Sequence, residues 1–176
     1  MDRRLFFESI AIAGLGFVMG GRAAAAAKDA VKETNRVDAL HTRCLVAKAD
    51  VANGNKRLYP RAVLEAAVAD FKALPPRAMY GQMGMPTSSV MQLSMASHIV
   101  TDLKMVGDYL VAEIELIATP HGVILKQLME TPDTVAFRTA GVGNGQVNDD
   151  GVLIIGDSFK LISINAVSVT EATPIF

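Results

Sequence analysis

Tryptophan is absent from this sequence, cysteine occurs once, and aromatic residues make up only 6% of the chain. A single cysteine excludes an internal disulfide and a thiolate metal cluster. No run of Lys and Arg interleaved with aromatics occurs, so no nucleic-acid surface is implied. Neither sign of charge dominates: the formal net charge is −1. That excludes both a globally basic nucleic-acid binder and an acidic solvating chain. Long hydrophobic runs are missing too. The most apolar stretch, residues 10–19, is too short for a confident membrane span, and Arg22 interrupts its continuation.

What is present is ample apolar content. About half of the 176 residues are hydrophobic, enough to build the core of one domain with a short appendage. Methionine occurs nine times, and its unbranched thioether fills irregular core gaps. Cys44 lies in the apolar-rich stretch Arg43-Cys-Leu-Val-Ala and reads as an inert core thiol. A nucleophilic cysteine would need a histidine beside it. His41 is near in sequence, but three positions along a strand place it on the opposite face.

The first thirty residues differ from the rest. Arg3-Arg4-Leu5-Phe6-Phe7 leads into the apolar run, followed by Gly20-Gly21-Arg22 and five alanines. Read as an export signal, this is twin-arginine-like with an Ala-rich, cleavage-like end, and the membrane is then a partner only through that signal. Read as a retained helical arm, its apolar residues Leu5, Phe6, Phe7, Ile10, Ile12 and Phe17 dock on a partner or inside an assembly. On this segment alone, export is the slightly stronger reading. Residues 1–37 form this arm and a charged linker, and residues 38–176 form the domain.

Within the domain, Asp38 to Val51 reads as a strand and Ala52-Asn53-Gly54-Asn55 as a turn. Pro60 opens a helix where its missing N–H costs nothing. Val63, Leu64, Ala67, Val68 and Phe71 recur at helical spacing, and Pro75-Pro76 stops the helix. Ser97 to Met105 and Tyr109 to Ile117 flank Val106-Gly107-Asp108 as a hairpin. Leu110, Ala112, Ile114 and Leu116 fall on one face of its second arm. Pro120 to Glu130 reads as a short helix with Val123, Ile124 and Leu128 inward. Thr134 to Ala140, Val152 to Ile155 and Phe159 to Val169 complete a strand-rich half, broken by the loop Gly141-Val-Gly-Asn-Gly145. The expected class is α+β: a mostly antiparallel sheet or barrel with two or three helices.

The order of several short motifs resembles the capsid maturation (prohead) serine proteases of T-even-type phages, whose fold is related to the herpesvirus assemblins. The resemblance rests on Asn55-Lys-Arg-Leu-Tyr-Pro-Arg61, Val63-Leu-Glu-Ala-Ala-Val68 and Gly81-Gln-Met-Gly-Met-Pro86. It continues through Ser97-His-Ile-Val-Thr-Asp-Leu103, Gly107-Asp108 with the Glu113 strand, and Thr119-Pro-His-Gly122. Phe137-Arg138 and Phe159-Lys-Leu-Ile-Ser-Ile-Asn-Ala-Val167 close the series. It covers roughly residues 53–176 and implies an assemblin-like fold.

That family's chemistry needs a nucleophilic Ser, a His to take its proton, and a third group to orient the His. The resemblance places the His in a Gly-Glu-Leu-x-His-Pro motif, where this chain has Met85. A thioether cannot shuttle a proton at neutral pH. The Ser belongs to Val-Ser-Ser-Arg-Gly-x-Gly, and here Ala136 holds the nucleophile's position, with Phe137 beside it. The resemblance also makes Thr139-Ala140 an insertion in the loop that would form an oxyanion hole. Asn165 occupies the acidic position. The chain thus reads as a degenerate serine protease that retains its fold.

His98 is the fallback base, with Ser94, Ser97, Thr139 or Ser158 as hydroxyls, although a hydrogen-bonded structural histidine is the simpler reading. His121 reads as an exposed first-turn residue. The three histidines lack metal-ligand spacing, so neither metal nor cofactor is implied. Asp149-Asp150-Gly151 is a hairpin turn. The resulting expectation is a structural or assembly protein of a phage virion, partnered by other virion proteins. Its alternatives are a protease with rearranged catalysis and an exported bacterial protein carrying a domesticated phage domain. A virion role favours the retained arm over the export signal.

Overall fold

The computed structural model describes residues 4–7 and 41–169. The 37/38 boundary, together with Ile10, Ile12 and Phe17, lies outside the described residues. The architecture is α+β. In chain order the strands are β1 (Arg4–Phe7), β2 (His41–Lys48), β3 (Arg57–Leu58), β4 (Tyr80–Gln82), β5 (Ala96–Val106) and β6 (Tyr109–Leu116). They continue as β7 (Val135–Gly143), β8 (Gly145–Val147), β9 (Leu153–Ile155) and β10 (Lys160–Ser168). Among the described residues two α-helices interrupt them, α1 (Arg61–Lys72) and α2 (Pro120–Met129).

Three sheets share the strands. The largest runs β2-β6-β5-β4, a second runs β1-β7-β10, and a small one runs β3-β9-β8. Except for β3 with β9, the paired strands are antiparallel. The first two sheets are stitched together just past β4. Met83 bridges Ala166 in parallel, and the Gly84 amide donates to the Ala166 carbonyl at 2.8 Å.

One apolar core joins all of this. Val46 of β2, Leu64 of α1, Leu103 of β5, Ile114 of β6, Leu125 of α2 and Ile164 of β10 are all inaccessible to solvent within a single cluster. Tyr59 and Phe159 extend it, with ring centroids 5.4 Å apart, edge to face. The outer side of β2-β6-β5 is polar: Glu113 accepts from Arg43 and from Lys104, both at 2.8 Å, and Arg77 bonds Glu115. This alternation of apolar inside and charged outside is the sign of a half-buried sheet.

The hairpin at 107–108 has Gly107 at φ +59 in its first central position, where a tight turn of the mirror-image type favours glycine. Asn148 shapes the β8–β9 turn by accepting from the amides of Asp150 and Val152. Helix α1 buries Val63, Leu64, Ala67 and Val68, the face set by its periodicity.

Three expectations need correction. Leu5, Phe6 and Phe7 do not belong to a helix: Arg4–Phe7 is a strand on β7, with Leu5 opposite Val142 and Phe7 opposite Ala140. Leu-Phe-Phe suits a pleated strand better than a helix. Helix α2 turns Val123, Ile124 and Leu128 outward and buries Gly122 and Leu125 instead. The Gly141–Gly145 stretch is not a loop, because β7 runs to Gly143 and β8 resumes at Gly145. Those glycines serve close approach: a Cβ at Gly141 would lie 2.4 Å from the Phe159 ring, and one at Gly145 2.5 Å from the Ile154 carbonyl.

Candidate functional site

Strand pairing decides which side chains meet at the positions of interest. Ala136 lies near the start of β7, directly opposite Val167 of β10. The segment leaving β4 is held beside β10 by the Met83–Ala166 bridge, which carries Met85 to the same place. Met85 and Val169 pack against the buried pair Ala136 and Val167. Two of the three positions singled out in the sequence therefore come together, one on each side of a β-strand junction.

Asn165 lies two register positions away. It faces Arg138 across the ladder, two residues before Val167 and on the same side of the strand. It has no exposure to solvent. Its carbonyl oxygen accepts from the Gln82 amide at 3.3 Å, and its NH2 group donates to the Ser163 hydroxyl at 3.0 Å. Gln82 stands where the motif quoted above has Glu. Its side chain accepts from the Gln92 amide at 2.8 Å and so pins the 86–92 loop. A neutral amide at each of these positions makes a structural hydrogen-bond network and leaves no charge to orient or stabilise an imidazolium.

The side chains packed around residue 136 are apolar. Alanine and valine carry no side-chain heteroatom, and the Met85 sulfur is a weak acceptor with no proton to give. Thr139 and Ala140, expected in an oxyanion-hole loop, sit within continuous β7 opposite Ile164 and Ser163. The Thr139 hydroxyl is buried and has no partner among the described residues. The ladder's irregularity lies on the other strand, between Leu161 and Ser163.

His98 lies elsewhere, in the middle of the core. It pairs with Gly81 across β4–β5 and reaches over to the second sheet. Its Nε2 lies 3.0 Å from the Ile164 carbonyl and its Nδ1 2.9 Å from the Ser97 hydroxyl. A carbonyl only accepts, so Nε2 carries the proton and Nδ1 accepts from Ser97. Phe137 closes the other side, edge to face at 5.5 Å. Burial pushes the His98 pKa down to about 4, outweighing the opposite effect of the Ile164 bond. Gly81 makes room for the ring: a Cβ there would sit 2.0 Å from Nε2.

The Ser97–His98 contact has the distance of a nucleophile–base pair but lacks access. Both residues are completely buried, so no substrate carbonyl can reach the hydroxyl. The other hydroxyls do not serve His98 either. Ser94 is exposed, and Ser158 is bonded to Asn144. His41 is exposed at the start of β2, and His121 is half-buried in the first turn of α2. No group of three or more His, Cys, Asp or Glu able to hold a metal occurs among the described residues. Burial pushes the Cys44 thiol pKa up, against a 3.6 Å contact with the Ala112 carbonyl, and keeps it protonated.

The sequence reading missed Val167, Val169, Gln82 and Ser163 as neighbours of the site. For Val167 and Val169 the available signal was alternation along β10, which places 165, 167 and 169 on one face.

Comparisons with known proteins converge on one family. The family described as "Prohead core protein serine protease" matches residues 7–174. The prohead core protein protease of Enterobacteria phage T4 is 27% identical over 134 residues, covering 73% of this chain. The aligned region spans 63% of that protein's length. The solved structure of the bacteriophage T4 capsid assembly protease, gp21, superposes with a TM-score of 0.71 at 23% identity. That superposition covers 94% of this chain and 98% of the other, a likeness of fold.

Proposed function

Since the chain belongs to the prohead core protein serine protease family, we propose that it is a non-catalytic structural or assembly component of a tailed-phage particle. In this reading the protease fold is kept for its shape, and its partners are other virion proteins. The observation that carries the proposal is the apolar packing of Met85 against Ala136 and Val167, where the family's chemistry requires a base and a nucleophile. The amide of Asn165, committed to Ser163 and the Gln82 backbone, supports it further.

Each step of serine proteolysis lacks its agent here. Without a hydroxyl at position 136 no acyl-enzyme forms, and without an imidazole at 85 no proton leaves the nucleophile or reaches the leaving amine. Migration of the reaction to Ser97 and His98 is disfavoured by their burial and by an imidazole already bonded at both nitrogens.

The test is incubation of the purified chain with prohead proteins and, separately, with a fluorophosphonate probe. The expected outcome is neither cleavage nor labelling. Cleavage or labelling that disappears in a His98→Gln variant would overturn the proposal in favour of rearranged catalysis.

A further inference from the structure

The first described strand is unusual in how it is attached. Residues 4–7 pair with the edge of β7 through four register positions, Arg4 opposite Gly143 to Phe7 opposite Ala140. β10 occupies the other edge of the same stretch, with Lys160 opposite Val142 and Leu161 opposite Gly141. The glycines of this stretch of β7 pack on Phe159. Gly141 and Gly143 lie so close over Phe159 that an added Cβ would meet it at 2.4 and 2.8 Å. On its other edge β7 holds residues 4–7 through an antiparallel main-chain ladder, which any strand of the same direction and register can supply.

We propose that the Arg4–Phe7 strand is exchanged between two copies of this chain, each supplying the strand that completes the other's β1-β7-β10 sheet. Residues 8–40 connect the strand to β2, and such a connection spans up to on the order of 100 Å when extended. A neighbouring copy in contact is well within that reach. The ladder formed by exchange is chemically the same as the ladder formed within one chain. The balance between them is set by local concentration rather than by contact energy, and closure within one chain has its own entropic cost. Crowding of copies in an assembly shifts that balance toward exchange. Reciprocal exchange between two copies closes on itself as a two-fold arrangement and leaves no donor strand over. The inference is independent of whether the chain is catalytic.

The experiment uses the full chain carrying Leu5→Cys and Val142→Cys, whose positions face each other in the ladder. Directly opposed strand residues lie within disulfide reach. Cys44 is buried and protonated, so it contributes little background. After mild oxidation of concentrated protein, non-reducing electrophoresis should show covalent dimers. Mixing the two single variants should give the same dimer. A bridge confined to single chains at every concentration, or no bridge at all, would overturn the proposal. Light scattering on the unmodified protein guards against misfolding of the cysteine variants. Dimers should be present at high concentration and lost on deleting residues 2–7; a monomer at all concentrations would overturn the proposal equally.

Discussion

A fully buried imidazole held between a carbonyl and a hydroxyl is tuned to stay neutral. His98 meets that description, and burial places its pKa at about 4 against an ordinary value of 6.5. The unfolded chain therefore binds more protons than the folded one between those values. The contribution of neutral His98 is fully present above pH 6.5, falls away as the pH drops through that window, and is gone below about 4. A shift of this size corresponds to about 3 kcal/mol. Denaturant titrations from pH 7 to 4 should show stability falling with pH, with a shallower slope in a His98→Gln variant. Glu113, held below the usual carboxylate range first by its bond to Lys104, adds a loss of the same sign once the pH falls beneath the ordinary value. Residue identities of this kind were legible early. The motif order singled out Met85 and Ala136 as positions of the family's His and Ser; the ladder sets Ala136 opposite Val167, and Met85 packs against that pair. The role of Val167 was not legible, because cross-strand register is a property of pairing and no local pattern encodes it.

Helix α2 illustrates why apolar count misleads at the level of an element. Its three large exposed apolar residues, Val123, Ile124 and Leu128, look like a core face, yet the buried line runs through Gly122 and Leu125. The reason is distance. A Cβ at Gly122 would fall 1.9 Å from the Ile117 carbonyl and 2.9 Å from that of Ser97, so the helix rests backbone-on-backbone along its glycine. Thr119 fixes the start, accepting from the Gly122 amide at 3.0 Å and donating to the Ala96 carbonyl at 2.6 Å. Leu125→Ala should cost about 3 kcal/mol in thermal or denaturant unfolding. Val123→Ser and Ile124→Ser should each stay within about 0.5 kcal/mol, and Thr119→Ala should cost about 1 kcal/mol through loss of the cap. Helix α1, by contrast, was legible in full, since its apolar residues repeat at helical spacing and no glycine displaces its contact line. The Gly-rich stretch at 141–145 failed for the same reason as α2: glycine marked close packing, Gly141 and Gly143 on Phe159 and Gly145 on Ile154, where the sequence suggested a loop.

Across the whole molecule, one cluster includes residues from both helices and from strands of all three sheets. That cluster ties the layers together, and the second cluster, Ala136 with Val167, is only two buried residues of the β7–β10 pair. Unfolding followed by far-UV and near-UV circular dichroism should therefore give coincident transitions, and separated midpoints would contradict this description. The α+β class and most element positions could be read from periodicity and turn residues, because they are local. The joining of two sheets through β4 and β10 could not, since it depends on a bridge between residues 83 and 166.

That bridge has a consequence for how this scaffold can change. Residues 85 and 136 are brought side by side by main-chain bonds of their neighbours, Met83 and Gly84 to Ala166, and Ala136 to Val167. Neither side chain is needed to hold the place. The two positions are set side by side by the path of the main chain, so under the reading proposed above a change of side chain at either leaves the strand junction itself in place.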